Sequence, residues 1–231
     1  MTTEISAPAE RWPETTLLGR LSDRPRRELL NLGTHVQFDS GRAILRQGDL
    51  GHLSYLLLRG CVKVRGNEAE WEPLLAIRIG GDLIGEMAVL SGKPRSATIL
   101  TCATTSAMAI PARELRAFLL RCPEVTLAIA SILAERLRWS NERRVDIAAL
   151  DPRGRLGRVL VTLAETYGRL VDGGWDLGAP LTQAELAALA GIRLPTAEKA
   201  LRGFAEVGLV RLGYRTTVIP DLDTLRRATD L

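Results

Sequence analysis

Glu86 and Arg95 stand nine residues apart in the run IGEMAVLSGKPRSATI at 84–99, with Gly85 before the first and Ser96 after the second. Gly85 lets a backbone approach a bound molecule closely, and a short helix over 86–90 would offer its free N–H groups to an anion. Arg95 carries a permanent charge whose planar fork fits phosphate oxygens, and Ser96 adds a neutral donor. Glu86 would repel the same phosphate, but it fits as the acceptor for a ribose 2′-hydroxyl. Together these residue types divide the recognition of a nucleotide with one phosphate and a free 2′-OH. The plainer alternative is a surface ion pair between Glu86 and Arg95, which is worth little.

The elements around this run change character twice. From about Val36 to Ile110 short apolar runs (AIL at 43–45, SYLLL at 54–58, CVKV at 61–64, LLAIRI at 74–79, SATILT at 96–101, SAMAI at 106–110) are separated by turn-forming pairs such as Gly48-Asp49, Gly66-Asn67 and Gly81-Asp82. Many short strands at regular spacing predict a β-sandwich or barrel. From Pro123 to Leu150 no glycine or proline interrupts the chain, which predicts one helix about 42 Å long. Its apolar positions Val125, Ile129, Ile132, Leu133, Ile147 and Leu150 recur at helical spacing, and the same stripe carries Arg136, Ser140 and Arg143 in its middle. Two arrangements fit: a dimer seam with a ligand beside its polar centre, or a helix packed on its own domain.

Asp151-Pro152 is a good N-cap and N1 pair and marks a hinge into a second helix. Gly173-Gly174 makes a loop, Thr182 to Glu185 is a capping box, and Gly191 breaks the helix that follows. A further helix over 196–208, two hairpin arms at 209–211 and 217–219, and a last helix capped by Asp221 complete a winged helix-turn-helix.

The 231 residues are 46% hydrophobic and 25% charged, which suits a globular chain of two domains or one large one and excludes disorder. A net charge of +4 permits a polyanionic partner without demanding one. The polar first residues and the lack of a long apolar run predict a cytoplasmic protein with no membrane span. Cys61, Cys102 and Cys122 are scattered singletons, expected to be reduced core residues rather than disulfides or metal ligands. There is no G-x-S-x-G, no Walker A, no dinucleotide glycine motif and no metal-spaced histidine set, so catalysis and a bound cofactor are not expected.

In order along residues 15–225, the sequence resembles the cyclic-AMP receptor protein/FNR superfamily of bacterial transcription regulators. The resemblance implies an α+β chain: an N-terminal helical segment and cyclic-nucleotide-binding β-roll (a double-stranded β-helix or jelly roll) over 1–122, a long dimerisation helix and hinge over 123–151, and a winged helix-turn-helix over 152–231. The run at 84–99 looks like the family's phosphate-binding cassette, which assigns Gly85, Glu86, Met87, Arg95 and Ser96 to the ligand. Aligned on Pro123 and Asp151, Arg136 falls near the ribose-phosphate edge and Glu86, and Ser140 and Asn141 fall where side chains of two subunits meet an adenine. A hydroxyl and an amide together donate and accept, as a purine requires. The implied function is a homodimer whose DNA binding is controlled by a cyclic nucleotide, first of all cyclic AMP, with RNA polymerase as a further candidate partner. The alternative is a regulator of the same fold that responds to another ligand or to none. The N-terminal cysteine cluster of oxygen-sensing relatives is missing, and neither His35 nor His52 lies where haem-sensing relatives need an axial ligand.

The reading surface departs from the family. Cyclic-AMP receptor proteins commonly open the recognition helix with serine, arginine and glutamate; here those positions are Arg193, Leu194 and Pro195. A guanine contact and a cytosine acceptor are thereby lost, so the family's usual half-site is not expected. The DNA-binding set becomes Thr182, Gln183, Arg193, Thr196, Lys199, Arg202 and the wing residue Arg215, with Arg211 beside it. Arg193 and Thr196 suit phosphate and Lys199 suits a base edge. Within 185–215 five basic residues face three acidic ones, a weakly basic patch.

Overall fold

The computed structural model describes residues 12–66 and 73–229; Asn67 of the expected Gly66-Asn67 turn lies outside them. Helices α1 (Leu17–Arg20) and α2 (Asp23–Leu30) precede strands β1 (Thr34–Phe38), β2 (Ala43–Leu45), β3 (Leu53–Arg59), β4 (Cys61–Arg65), β5 (Leu74–Ile79) and β6 (Leu83–Ile84). A short helix α3 (Glu86–Ser91) leads to β7 (Thr98–Thr101) and β8 (Thr105–Pro111). The strands form two antiparallel sheets, ordered β1-β8-β3-β6 and β2-β7-β4-β5. Because side chains alternate along a strand, Leu45, Leu57, Val62, Ile84, Ile99 and Ala107 meet between the sheets and make the interior of the roll.

Helix α4 (Ala112–Arg121) and the long helix α5 (Pro123–Ala149) then cross the roll. Val125, Ile129 and Ile132 are buried in one cluster with Leu18, Leu56, Leu83 and Phe118, and Leu133 packs on its edge. The N-terminal half of the stripe therefore packs on its own domain and is not a free dimer seam. A second stripe faces outward instead: Leu127, Ala130, Ala134, Leu137, Asn141, Val145 and Ala148 are all exposed. Their steps of three and four residues follow the spacing of a coiled-coil seam, with Asn141 as its polar position.

At Leu150 the backbone becomes extended, and the Asp151 carboxylate accepts from the Gly154 N–H at 2.7 Å to start α6 (Pro152–Tyr167). Strands β9 (Arg169–Val171) and β10 (Gly174–Asp176), helices α7 (Gln183–Ala190) and α8 (Leu194–Glu206), strands β11 (Arg211–Gly213) and β12 (Thr216–Ile219) and helix α9 (Leu222–Ala228) follow. The strands form a third sheet, ordered β11-β12-β10-β9, so the loop at Gly173-Gly174 is the turn of a hairpin that widens the wing. Gly191 ends α7 at a φ of 62°, a left-handed conformation that glycine adopts without cost. Buried Ala187 leaves room for α8 to cross.

The two halves share a buried seam. Cys61, Leu74 and Ile77 from the roll lie in one apolar cluster with Leu186, Leu189 and the rest of the C-terminal core. Lys63 and Arg65 of β4 add an ion pair each to Glu185 of α7. Cys61 and Cys102, far apart in sequence, come together across β4 and the residue after β7, where the Cys102 N–H donates to the Cys61 carbonyl at 2.8 Å. All three cysteines are free thiols, with Cys61 buried and Cys102 and Cys122 half-buried, although the first two, scattered in sequence, meet in space.

Candidate nucleotide site and DNA-facing surface

The cassette is built around a left-handed turn. Gly85 has a φ of 76°, and a Cβ there would stand 2.7 Å from the Arg95 guanidinium. Arg95 is buried, and its Nη1 donates to the Gly85 carbonyl at 2.7 Å while Nη2 donates to the carbonyl of Leu53. Burial lowers its affinity for a proton, against the pull of Glu86 and Asp49. Glu86 opens α3 and is buried although it is a carboxylate. The structure thus brings Gly85, Glu86 and Arg95 to one turn. Met87 and Ser96 lie on its exposed side, with the Ser96 hydroxyl 3.7 Å from the Met87 sulfur.

A buried carboxylate needs a partner, and α5 supplies it. Arg136 Nη1 lies 2.8 Å from Glu86 Oε1, and Nη2 lies 3.1 Å from Asp82 Oδ1. Burial lowers the Arg136 pKa, nearby Arg78 lowers it further, and the two carboxylates oppose both. Between Leu17, Leu83, Glu86, Ile129, Ile132, Leu133 and Arg136 the void is only about 10 Å³, room for about one water. Ser140 and Asn141 are not brought to this cluster within one chain. Asn141 lines an open groove of about 450 Å³ with Leu137, Val145 and Arg158, on the outward stripe of α5.

A second set of residues escaped sequence reasoning. Tyr167, the last residue of α6, reaches into the roll, where its hydroxyl donates to the Ile77 carbonyl at 2.9 Å and stands 3.3 Å from Arg78 Nη1. Burial pushes the Tyr167 phenol up, while Arg78 and Arg136 pull it down. Asp82, Glu86, Arg136, Arg78 and Tyr167 form one polar network between the cassette, α5 and the first helix of the C-terminal half. No local spacing marks such a network, because its members come from β5, the turn after it, α3, α5 and α6.

On the other half, Arg193, Thr196, Lys199 and Arg202 recur every third residue and are all exposed, making one polar edge along α8. Arg193 occupies the N-cap without a side-chain bond to the helix, and proline stands in the first turn. Arg215 adopts a φ of 56° at the tip of the wing beside exposed Tyr214. Arg211 is tied down, donating to the carbonyls of Gly173 at 2.6 Å and Asp172 at 3.3 Å. The capping box at the start of α7 forms as expected: the Glu185 N–H donates to Thr182 Oγ1 at 3.2 Å and the Thr182 N–H donates to Glu185 at 2.9 Å. Gln183 is exposed, whereas Thr182 is half-buried beside the seam with β4.

Comparison with known proteins adds a family to this geometry. Residues 35–122 match the model of the cyclic nucleotide-binding domain, and residues 154–228 match that of the Crp-like helix-turn-helix domain. The chain is 31% identical over 193 residues to a CRP-like cAMP-activated global transcriptional regulator of Mycobacterium tuberculosis, covering 83% of this chain and 86% of the relative. It is 33% identical over 186 residues to the cyclic AMP receptor protein of Thermus thermophilus, covering 79% and 82%. Among solved structures, the catabolite activator protein of Thermus thermophilus matches with a TM-score of 0.52 at 28% identity over 93% of this chain and 98% of that one. A CooA mutant of Carboxydothermus hydrogenoformans shares the fold with a TM-score of 0.75 at 23% identity over 95% and 98%. No single helix among the described residues is long and apolar enough to cross a membrane. With a nucleotide-type roll and a winged helix-turn-helix in one chain, and relatives matched over most of both lengths, the protein belongs to the CRP/FNR family of DNA-binding transcription regulators.

Proposed function

We propose that the chain acts as a homodimeric regulator whose DNA binding is set by a cyclic nucleotide in the roll, with cyclic AMP as the first candidate. The observation that carries this reading is the convergence of Glu86, Arg136 and Arg95 on the Gly85 turn. In the occupied state the Arg95 fork leaves the carbonyls of Gly85 and Leu53 for the phosphate, Glu86 accepts from the ribose 2′-hydroxyl, and Gly85 and Ser96 offer donors to the remaining oxygens. Met87 flanks the turn. The base end is closed by Ser140 and Asn141 from paired copies of α5, whose outward stripe from Leu127 to Ala148 is the dimer seam. The names of the relatives, one cAMP-activated and one a cyclic AMP receptor, agree with this effector.

The same helix carries the base contacts, the seam and Arg136, so a shift in its register passes through Leu150 to the two recognition helices. Two half-sites on DNA demand a spacing of about 34 Å, and a small change at the hinge decides whether the copies of α8 meet it. Thr182, Gln183, Arg193, Thr196, Arg202 and Arg215 then hold the backbone while Lys199 reads a base. No catalysis and no bound cofactor belong to this role, and RNA polymerase is the partner such a regulator would address. Calorimetric titration of the purified full chain with a panel of 3′,5′-cyclic nucleotides tests the effector, and genomic binding selection with and without the nucleotide that binds tests the response.

The second reading is a regulator that uses the roll as a scaffold and responds to another ligand or to none. It is favoured by an Arg95 fork already satisfied by main-chain carbonyls and by a Glu86 already paired with Arg136. Cyclic AMP leaving both melting temperature and operator affinity unchanged would decide for it.

A further inference from the structure

Cys61 opens β4, and Cys102 follows the last residue of β7. The register of the two strands pairs Val62 with Thr101, so Cys61 and Cys102 stand opposite each other at the next step, joined by the 2.8 Å main-chain bond. Facing residues of an antiparallel pair direct their side chains to one face with Cα atoms about 5.5 Å apart when hydrogen-bonded. That separation lies inside the range a disulfide spans. Both cysteines are free thiols, and the main-chain bond keeps their two positions side by side. Cys61, Lys63 and Arg65 alternate onto the face of β4 that meets Glu185.

We propose that Cys61 and Cys102 form a dithiol that a hydroperoxide converts to a disulfide. The two sulfurs have unequal parts to play. The interaction with Cys61 holds the Cys102 thiol below its ordinary value, burial and Glu185 oppose this, and Lys63 and Arg65 reinforce it. Cys61, bonded to Cys102 and more deeply buried, is pushed up. Cys102 is therefore the more acidic of the two, and it is also the half-exposed member of the pair. Cys102 Sγ attacks one peroxide oxygen, the O–O bond breaks, and the leaving oxygen takes a proton to depart as an alcohol, or as water from hydrogen peroxide. Cys102 is left as a sulfenic acid, oxidised by two electrons. Cys61 gives up its proton and attacks the Cys102 sulfur; the S–O bond breaks and water leaves. Two thiols and one hydroperoxide give one disulfide, one alcohol and one water.

The test treats the purified full chain with hydrogen peroxide, alkylates the remaining thiols in denaturant and maps the peptides by mass spectrometry. The expected result is a pair of peptides joined through Cys61 and Cys102, two hydrogens lighter than their sum, with free thiols falling from three to one per chain. Cys61→Ser should instead accumulate a sulfenic acid on Cys102 that dimedone traps, and Cys122→Ser should leave the bridge unchanged. Alkylated Cys61 and Cys102 after peroxide treatment that oxidises free cysteine, a bridge through Cys122, or over-oxidised Cys102 with no bridged peptide would each overturn the proposal. The wild-type map decides even if a variant fails to fold.

Discussion

Lys63 Nζ lies 2.8 Å from the Glu185 carboxylate, joining the roll to the N-terminal cap of α7, the second helix of the DNA-binding half. The same carboxylate receives Arg65 at 3.0 Å and the Thr182 N–H at 2.9 Å. Burial pushes the Glu185 carboxyl up, but the Lys63 and Thr182 bonds outweigh it and hold the group below its ordinary value of 4.5. The folded chain therefore binds this proton later than the unfolded one, so the latch contributes fully above about pH 4.5 and loses its contribution as pH falls through the lower folded value. Amide exchange in α7 should rise below that pH ahead of the β-strands. Glu185→Gln should bring the faster exchange to neutral pH, at a cost of about 3 kcal/mol for breaking a largely buried pair. Exchange in α7 that is insensitive to both acid and substitution would show that the seam is held by its apolar contacts alone.

Arg95 donates to the carbonyls of Gly85 and Leu53 and, in the proposed state, to the phosphate. Two charge-assisted bonds are worth about 1.5–3 kcal/mol each, so Arg95→Ala should weaken cyclic-nucleotide binding by roughly 100-fold or more. It also strips the Gly85 and Leu53 carbonyls of their donors, so the melting temperature should fall while the chain still folds and pairs. Arg95→Lys keeps the charge and loses the fork, and its affinity should fall between the two. Calorimetry and thermal melts on the same samples separate the effects. Unchanged affinity in Arg95→Ala would remove the arginine from the site.

Local signals were legible and remote ones were not. AIL at 43–45 and LLAIRI at 74–79 coincide with β2 and β5, and Thr182 and Glu185 form both bonds of their box, because turn glycines and capping side chains act within a few residues. The resemblance put Arg136 beside Glu86, where the structure has it. The stripe on α5 left two arrangements open because the helix has two apolar faces: one meets Leu56 and Phe118, and the other, from Leu127 to Val145, is exposed. Their repeats overlap in sequence, and only the position of the roll tells them apart. Tyr167 against Arg78, Lys63 against Glu185 and Cys61 against Cys102 are meetings of residues at least 41 positions apart, which no periodicity encodes.

The outward stripe of α5 makes its own prediction. Leu137 and Val145 are 62% and 63% exposed, far from the burial such side chains usually find. If this stripe is the seam of the proposed dimer, Leu137→Glu should sediment as a monomer where the wild type sediments as a dimer, with little loss of secondary structure. Asn141→Leu should strengthen association and relax its register, since a polar residue in such a seam fixes alignment at a cost in stability. A Leu137→Glu chain that sediments with the wild type would remove this stripe as the seam of the proposed dimer.

The edge of α8 and the tip of the wing should separate base reading from charge. If Lys199 bonds a base, Lys199→Ala should cost about 1–3 kcal/mol on the selected operator and relax preference at one position of each half-site. If Arg215 meets a phosphate, Arg215→Ala should weaken all sequences alike and lower the slope of log affinity against log salt by about 0.9 for each phosphate no longer neutralised. Fluorescence anisotropy on operator and scrambled duplexes across a salt series gives both readouts. Equal losses on the two duplexes for Lys199→Ala would make that lysine a phosphate ligand and leave the departure at Arg193, Leu194 and Pro195 to be compensated by another residue of α8.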